Sequence, residues 1–173
     1  MRARRSALVC VIGLLILTLL APSAGAHYRS HRDPRDTEGS GTSGTRARID
    51  IERVRLRIDD RNVVVKIATY DRPPAWGEAR VSFDTRGGPR VDRYAYVWWD
   101  DASGGWLDRG LYRRGGDRVG DIHAGKSDDV IRLRFARAWL NASRHVRWRV
   151  TATLATSEAT FVDHAPDRGW YEH

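Results

Sequence analysis

From Ile49 onward the chain alternates. In IDIERVRLRI, Val54, Leu56 and Ile58 fall on one side and Arg53, Arg55 and Arg57 on the other, the period of two that a half-buried strand requires. Asp59-Asp60-Arg61-Asn62 reads as a turn and the β-branched run 63–70 as a second strand, so the two segments predict a hairpin. The prolines of DRPPAWGE end that strand, because a proline has no N–H to give to the interior of a sheet. Further strands are predicted over 79–84, 93–100 and 106–113, with a short one at 118–122. Over 129–135, Ile131, Leu133 and Phe135 oppose Arg132 and Arg134. The clearest alternation is in 145–155: Val146, Trp148, Val150, Ala152 and Leu154 line one face, Arg147, Arg149, Thr151 and Thr153 the other. Residues 136–144 read as a helical turn or bend, and the tail DHAPDRGWYEH as turn chemistry that ends the domain. No segment longer than about ten residues carries a helical apolar stripe. About seven or eight short strands with polar turns predict an all-β fold, an antiparallel β-sandwich or jelly roll, over 48–173.

The remaining 47 residues break this pattern. Arg2, Arg4 and Arg5 precede an apolar run from Ala7 to Leu20, followed by Ala24-Gly25-Ala26. This is the layout of a signal peptide over 1–26, and it predicts a secreted, extracellular protein. The run is short for a membrane span, which needs about 20 residues, so no span is expected once the signal is cleaved. Residues 27–47 have almost no large apolar side chains and are expected to be a flexible tether. The only cysteine, Cys10, lies in the signal, which excludes a disulfide and thiolate chemistry in the remainder. The formal charge is +8, of which Arg2, Arg4 and Arg5 supply three, and only Lys66 and Lys126 among the thirty basic residues are lysine. The arginines are dispersed among acids, so the excess is read as composition more than as an affinity for anionic polymers, and nucleic acid is not an expected partner.

The order DIERVRLRIDDRNVVVKIATY, VSFDTRGGPRVDRYAYV, DDVIRLRFARAWL, HVRWRVTATL and DHAPDRG resembles a group of small, uncharacterised secreted actinobacterial β-sandwich proteins over about 48–170. The layout is also similar to carbohydrate-binding jelly rolls, a likeness of fold and not of site. The resemblance implies no catalytic residues. The chain departs from the group at Asp84-Thr85-Arg86, where a second acid is expected, and it lacks a cysteine pair near the bend.

Candidate chemistry centres on RYAYVWWDDASGGW, residues 93–106. On a strand, Tyr94, Tyr96 and Trp98 share one face, and Ala95, Val97 and Trp99 the other. Tyr94, Tyr96 and Trp98 either present a platform on which sugars stack or fill the space between sheets. Trp76 and Trp106 would extend the platform or cap the ends of the sandwich. The acid pairs Asp59-Asp60, Asp100-Asp101 and Asp128-Asp129, with Asp84 and Asp92, are ordinary turn formers; converging from adjacent loops they could hold Ca²⁺, but no D-x-D-x-D-G loop is present. His27 would be the N-terminal residue after cleavage and, with His123, His145 or His164, could form a copper brace, but a brace must be rigid and His27 begins the tether. Asn141-Ala142-Ser143 fits a glycosylation sequon that a bacterial chain would not use. No G-x-S-x-G or H-E-x-x-H occurs.

These readings converge on a non-catalytic binding or surface-associated module without cofactor or metal. Cell-envelope polysaccharide or another surface protein is the expected partner, and Tyr94, Tyr96, Trp98 and Trp106 the ligand-binding residues. The alternatives are a structural or protein-interaction sandwich with no small-ligand site and, last, a copper- or calcium-dependent enzyme acting on polysaccharide.

Overall fold

A computed structural model describes residues 27–34, 48–88, 90–142, 145–156 and 159–173. The expected signal peptide and residues 35–47 of the expected tether lie outside the described residues. Strands β1 (His27–Arg32), β2 (Ile51–Ile58), β3 (Asn62–Thr69), β8 (His123–Ser127) and β9 (Val130–Ala136) form a five-stranded antiparallel sheet in the order β1-β2-β3-β9-β8. Strands β4 (Trp76–Asp84), β5 (Arg93–Asp100), β6 (Gly105–Arg113), β7 (Arg118–Asp121), β10 (Arg147–Ala155) and β11 (Thr160–Ala165) form the second sheet, in the order β11-β10-β4-β5-β6-β7. A two-residue strand, β12 (Tyr171–Glu172), also pairs with β10, and a single helical turn, α1 (Arg137–Leu140), follows β9. The two sheets pack face to face as an all-β sandwich. Successive strands stay in one sheet as hairpins, and the chain changes sheet three times, after β3, β7 and β9.

Alternation decides what lies between the layers. Val54, Leu56, Val65, Ile67, Ile131 and Leu133 of the first sheet meet Val81, Phe83, Ala95, Val97, Trp148 and Val150 of the second, all buried. Phe83 and Phe135 touch edge to face across the gap at 5.9 Å between ring centroids. The hairpin of β2 and β3 is held by Asp59, whose Oδ1 accepts from the backbone N–H of Arg61 at 3.0 Å and of Asn62 at 2.6 Å. This is an Asx turn. The β7–β8 segment bends from one sheet to the other at Ile122, which is buried and donates its N–H to the Arg109 carbonyl at 3.2 Å.

The structure holds twelve strands among the described residues, against the seven or eight expected, and the additions β1, β8, β11 and β12 lie at sheet edges. Part of the expected tether is one of them. Residues 27–32 pair with β2 along its whole length, from His27 against Ile58 to Arg32 against Arg53. Composition misses such a strand because backbone hydrogen bonds to an open edge need no apolar side chains. His31 of this strand stacks its ring on Tyr171 at 4.0 Å and meets Trp148 edge-on at 5.9 Å. Strand β12 and the second half of β11 lie in the tail 163–173, where only turns were expected.

Beyond β1 three aspartates are buried together: Asp33, Asp50 and Asp163. Asp163, on β11, accepts the N–H of Ile51 at 2.5 Å and so ties the second sheet to the first. Burial raises the Asp163 carboxyl from its ordinary 3.8 to about 7; the Ile51 N–H opposes this, and the charges of Asp33 and Asp50 add to it. The folded state therefore holds a proton that the unfolded chain gives up near 3.8. The stabilisation is fully present below that value and is lost as pH rises to about 7, on the order of 4 kcal/mol for a group this buried. Stability measured by denaturant between pH 4 and 7 should fall more steeply in the wild type than in Asp163→Asn, which has no proton to lose. Parallel curves for the two proteins would contradict this.

Candidate functional site

The outer face of the seven-stranded sheet is built by register. Ala95, Val97 and Trp99 of β5 point into the core, Trp99 with 1 % of its surface exposed, so Tyr94, Tyr96 and Trp98 point out. Glu78 of β4 and Asp108 of β6 flank Trp98 in one row. Arg80 and Gly110 flank Tyr96 in the next, and Ser82 and Tyr112 flank Tyr94 in the third. On the far side of β4, Arg149, Thr151 and Thr153 of β10 continue the rows. All of these but Trp98 and Gly110 line an open depression of about 510 Å³.

The depression is polar and its rings are braced. The Tyr96 hydroxyl donates to Glu78 Oε2 at 2.5 Å, and the Tyr112 hydroxyl donates to Asp108 Oδ2 at 2.6 Å. Tyr112 reaches Asp108 by leaning over Gly110: a Cβ at that position would sit 2.6 Å from Tyr112 Cε2. Arg118 closes the far side of Asp108, with Nη1 3.3 Å from Oδ1. Tyr94 lies between the Arg80 guanidinium, 4.0 Å from its centroid, and the Tyr112 ring, stacked at 5.2 Å. Its two faces are thus covered by neighbours. Burial, the bond to Glu78 and the Glu78 charge push the Tyr96 phenol well above its ordinary range. Burial, then the bond to Asp108, push Tyr112 up to about 12.

The flat surface open to a ligand lies at one end of this face. Among the described residues the exposed large hydrophobics are Trp98 at 44 %, Trp76 at 38 % and Leu107 at 44 %. Trp76 faces Asp100, two residues beyond Trp98, and so lies diagonal to Trp98 on the same side. Trp106 does not join them. It pairs with Trp99 and meets that ring edge to face at 6.0 Å, on the core side of the sheet. The cause is a bulge opposite Trp98 and Trp99, which sets Asp108 against Trp98 and Trp106 against Trp99, with Leu107 between.

Of the four candidates, then, Tyr94, Tyr96 and Trp98 share a surface and Trp106 stands behind it. Glu78, Arg80, Asp108, Tyr112 and Arg149 were not anticipated. Trp76-x-Glu78-x-Arg80 and Asp108-x-Gly110-x-Tyr112 do show the required spacing of two, but only the pairing of β4, β5 and β6 tells which strands meet.

The aspartate pairs take structural roles. Asp59 makes the Asx turn, and Asp100 accepts from Ala102 N–H at 3.0 Å and the Ser103 hydroxyl at 2.6 Å. Asp101 pairs with Lys126 at 2.8 Å. The Asp129 carbonyl accepts from the Thr69 N–H at 2.9 Å, and Asp128 adopts a positive φ of 46°. Asp92 accepts from the Thr85 N–H at 3.1 Å. Asp84 is buried against Arg147, whose Nε donates to Oδ2 at 2.9 Å. Among the described residues no three His, Cys, Asp or Glu side chains are placed to share a metal ion. The side chain of His27 lies outside what is described. No family model, curated protein or solved structure matches the chain.

The bracing of Tyr112 gives a direct readout. In Asp108→Asn the phenol loses its charged acceptor, and in Gly110→Ala the new methyl displaces the ring. In both, ultraviolet titration should move one tyrosine from about 12 toward 10. Titrations identical to the wild type would show that the phenol is not held as described.

Proposed function

We propose that the protein is a secreted, non-catalytic binding module that holds a cell-envelope polysaccharide against the outer face of the seven-stranded sheet. The observation that carries this reading is the exposure of Trp98 beside Trp76, while the adjacent Trp99 is spent on the core. An exposed indole offers its π face to the C–H groups of a sugar ring, and its fixed position on a rigid sheet lowers the ordering cost of binding. Next to it, Glu78, Asp108, Arg80 and Arg149 supply acceptors and donors for hydroxyls along the depression. The tyrosines serve as a braced floor: two hydroxyls are held by carboxylates, and Tyr94 is clasped on both faces.

The same bracing argues for binding over hydrolysis. Glu78 and Asp108 stand on either side of β5, with Cα atoms about 10 Å apart from two strand spacings. Each carboxylate accepts a hydrogen bond from a tyrosine hydroxyl and is engaged in bracing a ring, which a general acid facing a leaving group would not be. The N-terminal Arg, apolar and small-residue pattern supports secretion.

Short oligosaccharides of glucose, galactose, arabinose, mannose and N-acetylglucosamine, titrated one at a time, should include at least one that shifts tryptophan emission saturably. Trp98→Ala should weaken that binding about tenfold or more, the equivalent of about 1.4 kcal/mol. It should change folding stability by less than about 0.5 kcal/mol, as expected at an exposed site. No response to any sugar, or equal affinity in Trp98→Ala, would sink the reading.

A further inference from the structure

The outer face of the five-stranded sheet has a different chemistry. The alternation that buries Val54, Leu56, Ile67 and Leu133 turns Arg53, Arg55 and Arg57 of β2, Lys66 of β3, and Arg132 and Arg134 of β9 outward. Register sets them in rows. Arg57 faces Val64, which faces Arg134; Arg55 faces Lys66, which faces Arg132. The second row is three cations on three successive strands, about 4.8 Å apart across the sheet, with the next row about 6.8 Å away along it.

Like charges placed directly opposite one another oppose sheet formation, and carboxylates in the middle of the face would relieve them. The carboxylates paired with Arg53, Arg57 and Arg137 lie at the ends of the sheet. At one end Asp59 takes Arg57 at 3.3 Å and Asp60 takes Arg137 at 3.6 Å; at the other Glu52 lies 3.3 Å from Arg53 and 4.0 Å from Arg32. Among the described residues no ion pair reaches Lys66, Arg132 or Arg134. Arg134 donates from Nε to the neutral amide oxygen of Asn62 at 3.2 Å and keeps its charge uncompensated.

The face also lacks apolar reach. Trp76, Trp98 and Leu107, the exposed large hydrophobics among the described residues, all stand on the other layer. The described ring beside these cations is the exposed His123 imidazole, opposite Arg134; no described Phe, Tyr or Trp side chain stands among them to stack a base, and no bulky apolar side chain described there is exposed to enter a bilayer. Charge dominates what is described of this face, so a partner is selected here chiefly by closely spaced negative charge. We infer that this basic face binds a linear anionic glycan, a polysaccharide with a carboxylate, sulfate or phosphodiester on its repeat units. The inference does not rest on the aromatic face, which is on the opposite layer.

Heparin serves as the probe, with neutral dextran as reference. Lys66→Ser/Arg132→Ser/Arg134→Ser removes the centre of the face. Arg109→Ser/Arg113→Ser/Arg114→Ser removes the same charge from exposed positions on and after β6. The first variant should bind heparin about tenfold or more weakly at physiological salt, and its slope of log affinity against log salt should fall by about 2 to 3. The second should lose less than about twofold. Lys66→Gln alone, a single exposed change, repeats the test if the triple variant folds poorly and should still weaken binding more than Arg113→Gln. Equal losses in the two triples would overturn the inference by showing a diffuse effect of net charge. So would tighter binding to phosphatidylglycerol vesicles or duplex DNA than to heparin at equal concentrations of anionic groups.

Discussion

The architecture turns on which of two adjacent tryptophans is buried. Trp98 and Trp99 are neighbours on β5, and a strand must send them to opposite sides. Trp99 is the one the core accepts. Its Nε1–H donates to the Pro74 carbonyl at 3.0 Å, and its ring lies over Gly77, where a Cβ would come within 2.8 Å of Cζ2. The Lys126 ammonium stands 5.5 Å from the ring and also bonds the Pro74 carbonyl, at 3.2 Å. A slip of one residue would expose Trp99 and bury Tyr94, Tyr96 and Trp98 with their hydroxyl and carboxylate partners, so the register is strongly specified. Everything proposed for the aromatic face follows from that choice.

The same period-two constraint acts on the other layer and yields the opposite surface. Each sheet gives one face to a shared core and is free to vary the other. The seven-stranded sheet carries rings braced by carboxylates and a pair of exposed indoles. The five-stranded sheet carries rows of arginine and lysine, with the acids that pair with Arg53 and Arg57 at its ends. The sandwich thus has two chemically distinct broad surfaces on one rigid support.

Much of this was legible in the sequence wherever a strand is half buried. The alternation in 51–58, 130–136 and 147–155 marks both the strand and its inward face, and Tyr94, Tyr96 and Trp98 are correctly grouped because grouping needs only the spacing of two. Strands that contribute backbone but little apolar surface were not legible: β1, β8 and β12 lie at edges, where HYRSHR or HAGKS suffices, whereas β11 was missed although it buries Phe161 and Ala165. Trp106 was placed with the candidate site because the bulge that turns it toward Trp99 depends on how β6 docks on β5. Glu78, Asp108 and Arg149 were missed for a related reason. Each is an ordinary polar residue in an alternating strand and acquires its neighbours from pairings between distant segments. The buried Asp163 is likewise invisible locally, since its partner Ile51 is 112 residues away in the chain.

The division of Trp98 and Trp99 between solvent and core can be read residue by residue. The indole N–H signals of the seven tryptophans can be assigned by NMR and followed as a soluble, uncharged paramagnetic agent is added. The account predicts strong broadening of Trp76 and Trp98, while Trp99 and Trp148 remain sharp. A sharp Trp98 signal beside a broadened Trp99 would mean that β5 presents its other face, and the aromatic surface would not exist.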